Sequence, residues 1–307
     1  MRLRDAILLP ALALAACGGG EAEQGPPPDL RLDQANKAGT VALAHNNPAE
    51  AVRQYRQALS RAYERDDAEA IGDTGYNLAV AQLRDGAVQE AARTVRDTRA
   101  ELERRKLVPP AELVLVQAAI AYRLGARDEA LAAADEVLAR PSLAPETASR
   151  AWYMHGAVLA DRGDAAGLAR TLAALPPSSQ PDPEADRLEL TGRAALLSGA
   201  AAQAIPAFEQ AADQRRLALD YRGMARALSF AAEATLRSGR IADAAVLYLR
   251  AGRSAQLQGD AAGSRDLLDK ASDLARQSGA ADVIGEIDRV KRDAAAAAAA
   301  KSGAGSR

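Results

Sequence analysis

"LAVAQLRDGAVQEAARTV", residues 78–95, carries the pattern that decides the fold. An apolar stretch holding a small residue, Ala79, runs into Gly86. A second stretch then opens around Ala91 and reaches Val95 one turn later. Strong helix formers fill both arms, and glycine accepts the left-handed conformation that closes a helix. The segment reads as helix, tight turn, helix.

The unit recurs along the chain. "QAAIAYRLGARDEALAAADEVL" (residues 117–138) repeats it around Gly125 and Ala130, and "HGAVLADRGDAAGLARTL" (155–172) around Gly163. "TGRAALLSGAAAQAIPAF" (191–208) turns at Gly199 and "AAEATLRSGRIADAAVLY" (231–248) at Gly239. A degenerate first copy, "AGTVALAHNNPAEAVRQYRQAL" (38–59), carries Asn46 in the turn. The small residue of the first helix falls on Gly39, Ala79, Ala118, Gly156, Gly192 and Ala232. The one opening the second helix falls on Ala51, Ala91, Ala130, Ala204 and Ala244, with Leu168 departing. The bulky residue one turn on is Tyr55, Val95, Phe208 or Tyr248, reduced to Ala134 and Leu172 in the third and fourth copies. Small residues let antiparallel helices approach, and the large one fills the gap beneath the next repeat.

This pattern resembles the tetratricopeptide repeat. The resemblance implies an all-α, right-handed solenoid of about six helix–turn–helix repeats over Asp29–Arg253. Asp260–Ser278 and Asp282–Arg292 read as a C-terminal capping helix pair, since each repeat buries only the face its neighbour covers. Successive first-helix small residues lie 36–40 residues apart, above the family's period of about 34, so helices or loops are extended. Prolines at 109, 110, 141 and 145 fall between repeats, where helices stop. "PPSSQPDPE" (176–184) reads as the longest irregular link, either a hinge or an extended loop. The solenoid is assigned to residues 29–293. The Ala-rich tail, 294–307, is expected to prolong the last helix and then fray into disorder.

The chain opens with Arg2 and Arg4, a short apolar run over residues 6–16, and its single cysteine, Cys17. These are the parts of a secretory signal, and the run is far short of the about 20 residues a spanning helix needs. Leu14-Ala15-Ala16-Cys17 resembles the lipobox of bacterial lipoproteins. That resemblance implies a signal peptide at 1–16 and lipidation of Cys17, whose sulfur carries the diacylglycerol. Gly18 stands where an inner-membrane retention signal places Asp, which favours the outer membrane of a Gram-negative cell. "GGGEAEQGPPP" (18–28) completes a tether (17–28), flexible first and stiffer at its prolines.

Removing residues 1–16 takes away Arg2, Arg4 and Asp5 and shifts the net charge from −2 to −3. So mild a value argues against a nucleic-acid footprint. One cysteine excludes intrachain disulfides, and with two histidines it cannot assemble a Cys/His metal site. No phosphate-binding glycine loop and no H-E-x-x-H helix is present. His155 and Trp152 read as packing residues, and Arg162-Gly163-Asp164 as an inter-helix turn. Neither enzymatic activity nor a cofactor is expected.

What remains is surface. In the repeat register the first helices line a concave groove. Tyr76, Arg84, Tyr122, Arg123, Tyr153, Arg193 and Arg237 fall on that face as candidate partner-binding residues, beside Val80, Leu83, Leu115, Glu189, Leu197 and Glu233. Tyrosine and arginine carry most interface energy. The competing reading is an ordinary solvated face, because arginine is abundant throughout the chain. The Lys and Asn set of the chaperone-tail clamp is missing, so that type of C-terminal peptide is not implied. The expected function is a lipid-anchored adaptor on the periplasmic face of the outer membrane, binding envelope proteins or peptides in its groove. The alternatives are a structural component whose groove is self-occupied and a carbohydrate-binding or enzymatic degenerate-repeat protein.

Overall fold

The computed structural model describes residues 28–175 and 177–304. The signal, Cys17 and most of the tether therefore lie outside the described residues. Fourteen α-helices and no strand are found among those described. They form seven consecutive hairpins. These are α1 (Leu30–Ala44) with α2 (Pro48–Glu64), α3 (Ala68–Arg84) with α4 (Val88–Arg104), and α5 (Ala111–Arg123) with α6 (Arg127–Leu138). Next come α7 (Pro145–Asp161) with α8 (Ala165–Ala174), and α9 (Pro181–Leu197) with α10 (Ala201–Leu217). The last two are α11 (Tyr221–Arg237) with α12 (Ile241–Leu257), and α13 (Ala261–Ser278) with α14 (Ala281–Ala304). None of them is long and apolar enough to cross a membrane.

The turns form where the sequence places them. Gly86 has φ +84° and Asn46 φ +53°, both in the left-handed region, which only Gly and, among L residues, chiefly Asn adopt readily. Asp side chains cap the starts of α1, α3, α8, α11 and α13. Asp29 also pairs with Arg61 at 2.7 Å and Arg65 at 3.2 Å, tying the start of α1 to the end of α2.

Close packing rests on the small residues. Ala51, Ala91, Ala130, Ala204 and Ala244 are fully buried. A Cβ added at Gly39 would lie 2.7 Å from the Tyr55 ring, and one at Gly192 would lie 2.6 Å from Phe208. The large residue thus fills space over the glycine of its own hairpin, a role beyond the expected one beneath the next repeat. It serves the neighbour as well: Phe208 stacks on Phe230 of α11, with centroids 5.4 Å apart. Leu168, the departure from the small-residue rule, is fully buried in a cluster with Ala157, Leu159 and Ala160.

One boundary differs from the sequence expectation. The link before α9 is shorter, because Pro181 and Pro183 lie in the first turn of that helix. Proline is suited there, since the first turn's N–H groups have no helical partner. The Ala-rich segment continues α14 as far as Ala304. The capping pair closes the stack: Leu268, Val283 and Ile287 join one core with Leu247 and Tyr248 of α12.

Candidate functional site

First helices of successive repeats pack side by side, α3 on α5, α5 on α7 and α7 on α9. Side chains on that flank meet the next first helix before they meet solvent. Tyr153 of α7 donates to Glu189 of α9, whose other oxygen accepts from Arg226 of α11 at 3.1 Å. Glu189 is 1% exposed. Three consecutive first helices are thereby linked through one buried carboxylate. Arg193 is likewise buried, paired with Asp161, which also holds Arg127 at 2.8 Å. The Arg127 guanidinium lies 4.4 Å from the centre of the Tyr122 ring.

These contacts correct the expected exposure of several groove candidates. Tyr122, Tyr153 and Arg193 are inter-repeat packing residues, and Tyr122 lies against the core containing Leu168 and Leu190. Arg123 stays exposed but donates to the Leu83 carbonyl at 3.0 Å. Its crowded, partly desolvated position and the fields of Arg222 and Arg226 hold it below the usual arginine range. Tyr76 is half-buried, and burial raises its hydroxyl pKa. Arg237 is exposed and pairs along its own helix with Glu233 at 2.8 Å. Only Arg84 of the seven lies in the lining of the large cleft.

That cleft has a volume of about 1150 Å³. Its walls come from elements far apart in the chain. Leu43 and Asn46 at the first hairpin and Arg84 of α3 share it with Arg150, Asp182, the α10–α11 corner and the C-terminal half of α12. Arg215 is anchored at its base, paired with Asp186 and with Asp182 at 3.1 Å. Burial pushes the Asp186 carboxyl up to about 6, against the opposing pull of Arg215. Leu219 (71% exposed), Tyr221 and Leu257 (81% exposed) present apolar surface within the same lining. Sequence reading missed Arg150, Arg222, Arg250 and these apolar residues. Its one available signal was an apolar residue, Leu219, beside the helix-capping Asp220; in the structure Leu219 sits in a turn with φ +59°.

No protein-family model and no curated protein matches the chain. Solved structures do. A Rap protein complexed with Competence and Sporulation Factor superposes with a TM-score of 0.54 at 13% identity, covering 86% of this chain and 97% of its own. A tetratricopeptide repeat protein from Parabacteroides merdae gives 0.48 at 14% identity, over 84% and 99% of the two chains. At such identities the likeness concerns fold. Stacked helical hairpins, small-residue contacts and left-handed turns define this chain as an all-α, tetratricopeptide-repeat-like solenoid.

Proposed function

We propose that this protein is a lipid-anchored adaptor that binds a segment of a partner protein in the cleft that its first repeats form with α10–α12. The observation that carries the reading is the cleft itself. It is larger than the about 300–1,000 Å³ of a typical small-molecule pocket, and it combines exposed Leu219, Tyr221 and Leu257 with several arginines. Exposed apolar groups rimmed by polar ones mark interaction sites. The Rap protein of similar fold was solved with a bound factor, which supports partner binding by this architecture. The proposed address, the periplasmic face of the outer membrane, rests on Cys17 and Gly18 in the lipobox-like segment. The interaction role is non-enzymatic in this reading.

Two experiments test it. A photo-crosslinking amino acid at Tyr221 should capture the same envelope protein reproducibly, and one at Arg93, exposed on α4 and outside the cleft lining, should not. Equal capture at both positions, or none at Tyr221, defeats the cleft reading. Cys17→Ser removes the thiol that carries lipid and should leave the protein unprocessed or soluble. Continued acylation and outer-membrane fractionation of that variant would overturn the anchor.

A further inference from the structure

The cleft carries an excess of positive charge although the chain does not. Seven arginines and two aspartates line it, against a net charge of −2 for the whole sequence. Four of the seven are already engaged. Arg215 is held by Asp186, Asp182 and Asp220, Arg150 by Asp182, Arg216 by Asp213 and Arg253 by Glu286. Arg84, Arg222 and Arg250 form no hydrogen bond or ion pair among the described residues. They come from α3, α11 and α12, so the fold itself assembles them. Arg123, whose environment Arg222 and Arg226 make more positive, stands close by. Like charges gathered in one concavity focus a field that attracts anions.

The neighbouring surface narrows the class of anion. Leu219, Tyr221 and Leu257 offer apolar contact beside the guanidinium groups. Tyr221 is the one aromatic residue in the lining, whereas single-stranded nucleic acids are held on successive aromatic platforms. The arginines lie within a cleft rather than across a flat face, which suits a chain segment better than a bilayer.

We propose that the cleft takes an extended acidic segment of a partner protein. Its carboxylates meet Arg84, Arg222 and Arg250, and its apolar side chains meet Leu219, Tyr221 and Leu257. This rests on the partner-binding reading above and specifies the chemistry of the ligand. Arginine's planar fork matches a carboxylate with two parallel hydrogen bonds. Three such contacts, one from α3 and two from the α11–α12 hairpin, fix both direction and register.

The test uses the full chain, a fluorescent peptide of alternating glutamate and leucine, and its glutamine-for-glutamate twin. Anisotropy titration should show the glutamate peptide binding about tenfold or more tightly than the twin, three modest ion pairs sufficing for that ratio. Affinity should weaken between about 50 and about 300 mM NaCl as screening grows. The triple variant Arg84→Gln, Arg222→Gln, Arg250→Gln should abolish the preference and keep the parent's thermal melt, since those side chains form no hydrogen bond or ion pair among the described residues. Equal affinity for both peptides overturns the acidic proposal while leaving the cleft as a partner site. A preference that survives in the triple variant overturns it too. Binding of neither peptide overturns it as well, and crosslinking at Tyr221 then decides separately whether the partner-binding reading stands. Arginine-dependent binding of phosphatidylglycerol vesicles, or arginine-dependent self-association, with the glutamate peptide unbound, would assign the cleft to a lipid headgroup or a second copy and overturn it.

Discussion

At the residue scale, the close approach of helices depends on a few absent side chains. Gly192→Ala would set a methyl 2.6 Å from the Phe208 ring, which is itself fully buried. Overpacking of this kind costs about 1–3 kcal/mol, measurable as a lower urea midpoint. Adding Phe208→Leu should recover part of the loss, because the smaller side chain vacates the contact. A second expectation concerns Asp186. Its folded-state pKa, about 6, exceeds the ordinary 3.8, so between those values the folded chain holds a proton that the unfolded chain releases. That contribution to stability is fully present below about pH 4 and is lost as pH rises through 6. The groups facing it are Glu189 on its own helix, Arg215 on α10 and Arg226 on α11. Asp186→Asn should flatten this part of the stability profile between pH 4 and 6, as followed by chemical denaturation at each pH. An unchanged slope would show that Asp186 does not titrate there. Asp29 acts in the opposite sense. Its hydrogen bond with Arg61 holds its carboxyl well below the usual range, so its contribution is present above the ordinary carboxylate pKa and lost on acidification.

At the scale of elements, each hairpin is joined to the next by contacts that periodicity alone reads as surface. Tyr153→Phe removes a donor to buried Glu189. An unsatisfied buried group costs about 1–3 kcal/mol, and the loss should appear as lower stability with helix content retained. Ala130, fully buried in a cluster with Ala121 and Val158, makes a sharper test of stacking. Ala130→Leu should force α5, α6 and α7 apart, at about 1–3 kcal/mol. Because repeats depend on their neighbours, faster amide exchange should extend into α7 and α8. Damage confined to α6 would show that the third repeat is not coupled to the fourth.

At the scale of the whole molecule, the core is uneven. From Leu188 to Ile287 one continuous cluster joins α9 to α14, whereas the preceding repeats hold several smaller ones. In a linear stack, local stability follows local burial. Hydrogen exchange should therefore find the slowest amides in α10 to α12 and faster exchange in α1 and α2. The reverse order would mean that the early repeats, with their smaller clusters, gain stability from another source. The same superhelix carries the first hairpin round to face α12, creating a cleft that no pair of adjacent repeats contains.

The repeat register was legible because its causes are local. A turn glycine, a small residue that admits a neighbouring helix and a bulky one a turn later each leave a mark at fixed spacing. The structure carries those marks at Gly86, Ala130 and Phe208. The groove was less legible. Tyr153 and Arg193 share a helical face with exposed residues, and spacing places them there equally well. Whether such a side chain meets solvent or the next first helix depends on how closely successive repeats pack, which no single repeat encodes. Arg222 and Arg250 share one hairpin, but Arg84 of α3 joins them only through the accumulated rotation of the stack. A small turn per repeat, summed along the chain, decides which distant residues meet, so the sequence by itself determined the hairpins and only the tertiary structure assembled the cleft.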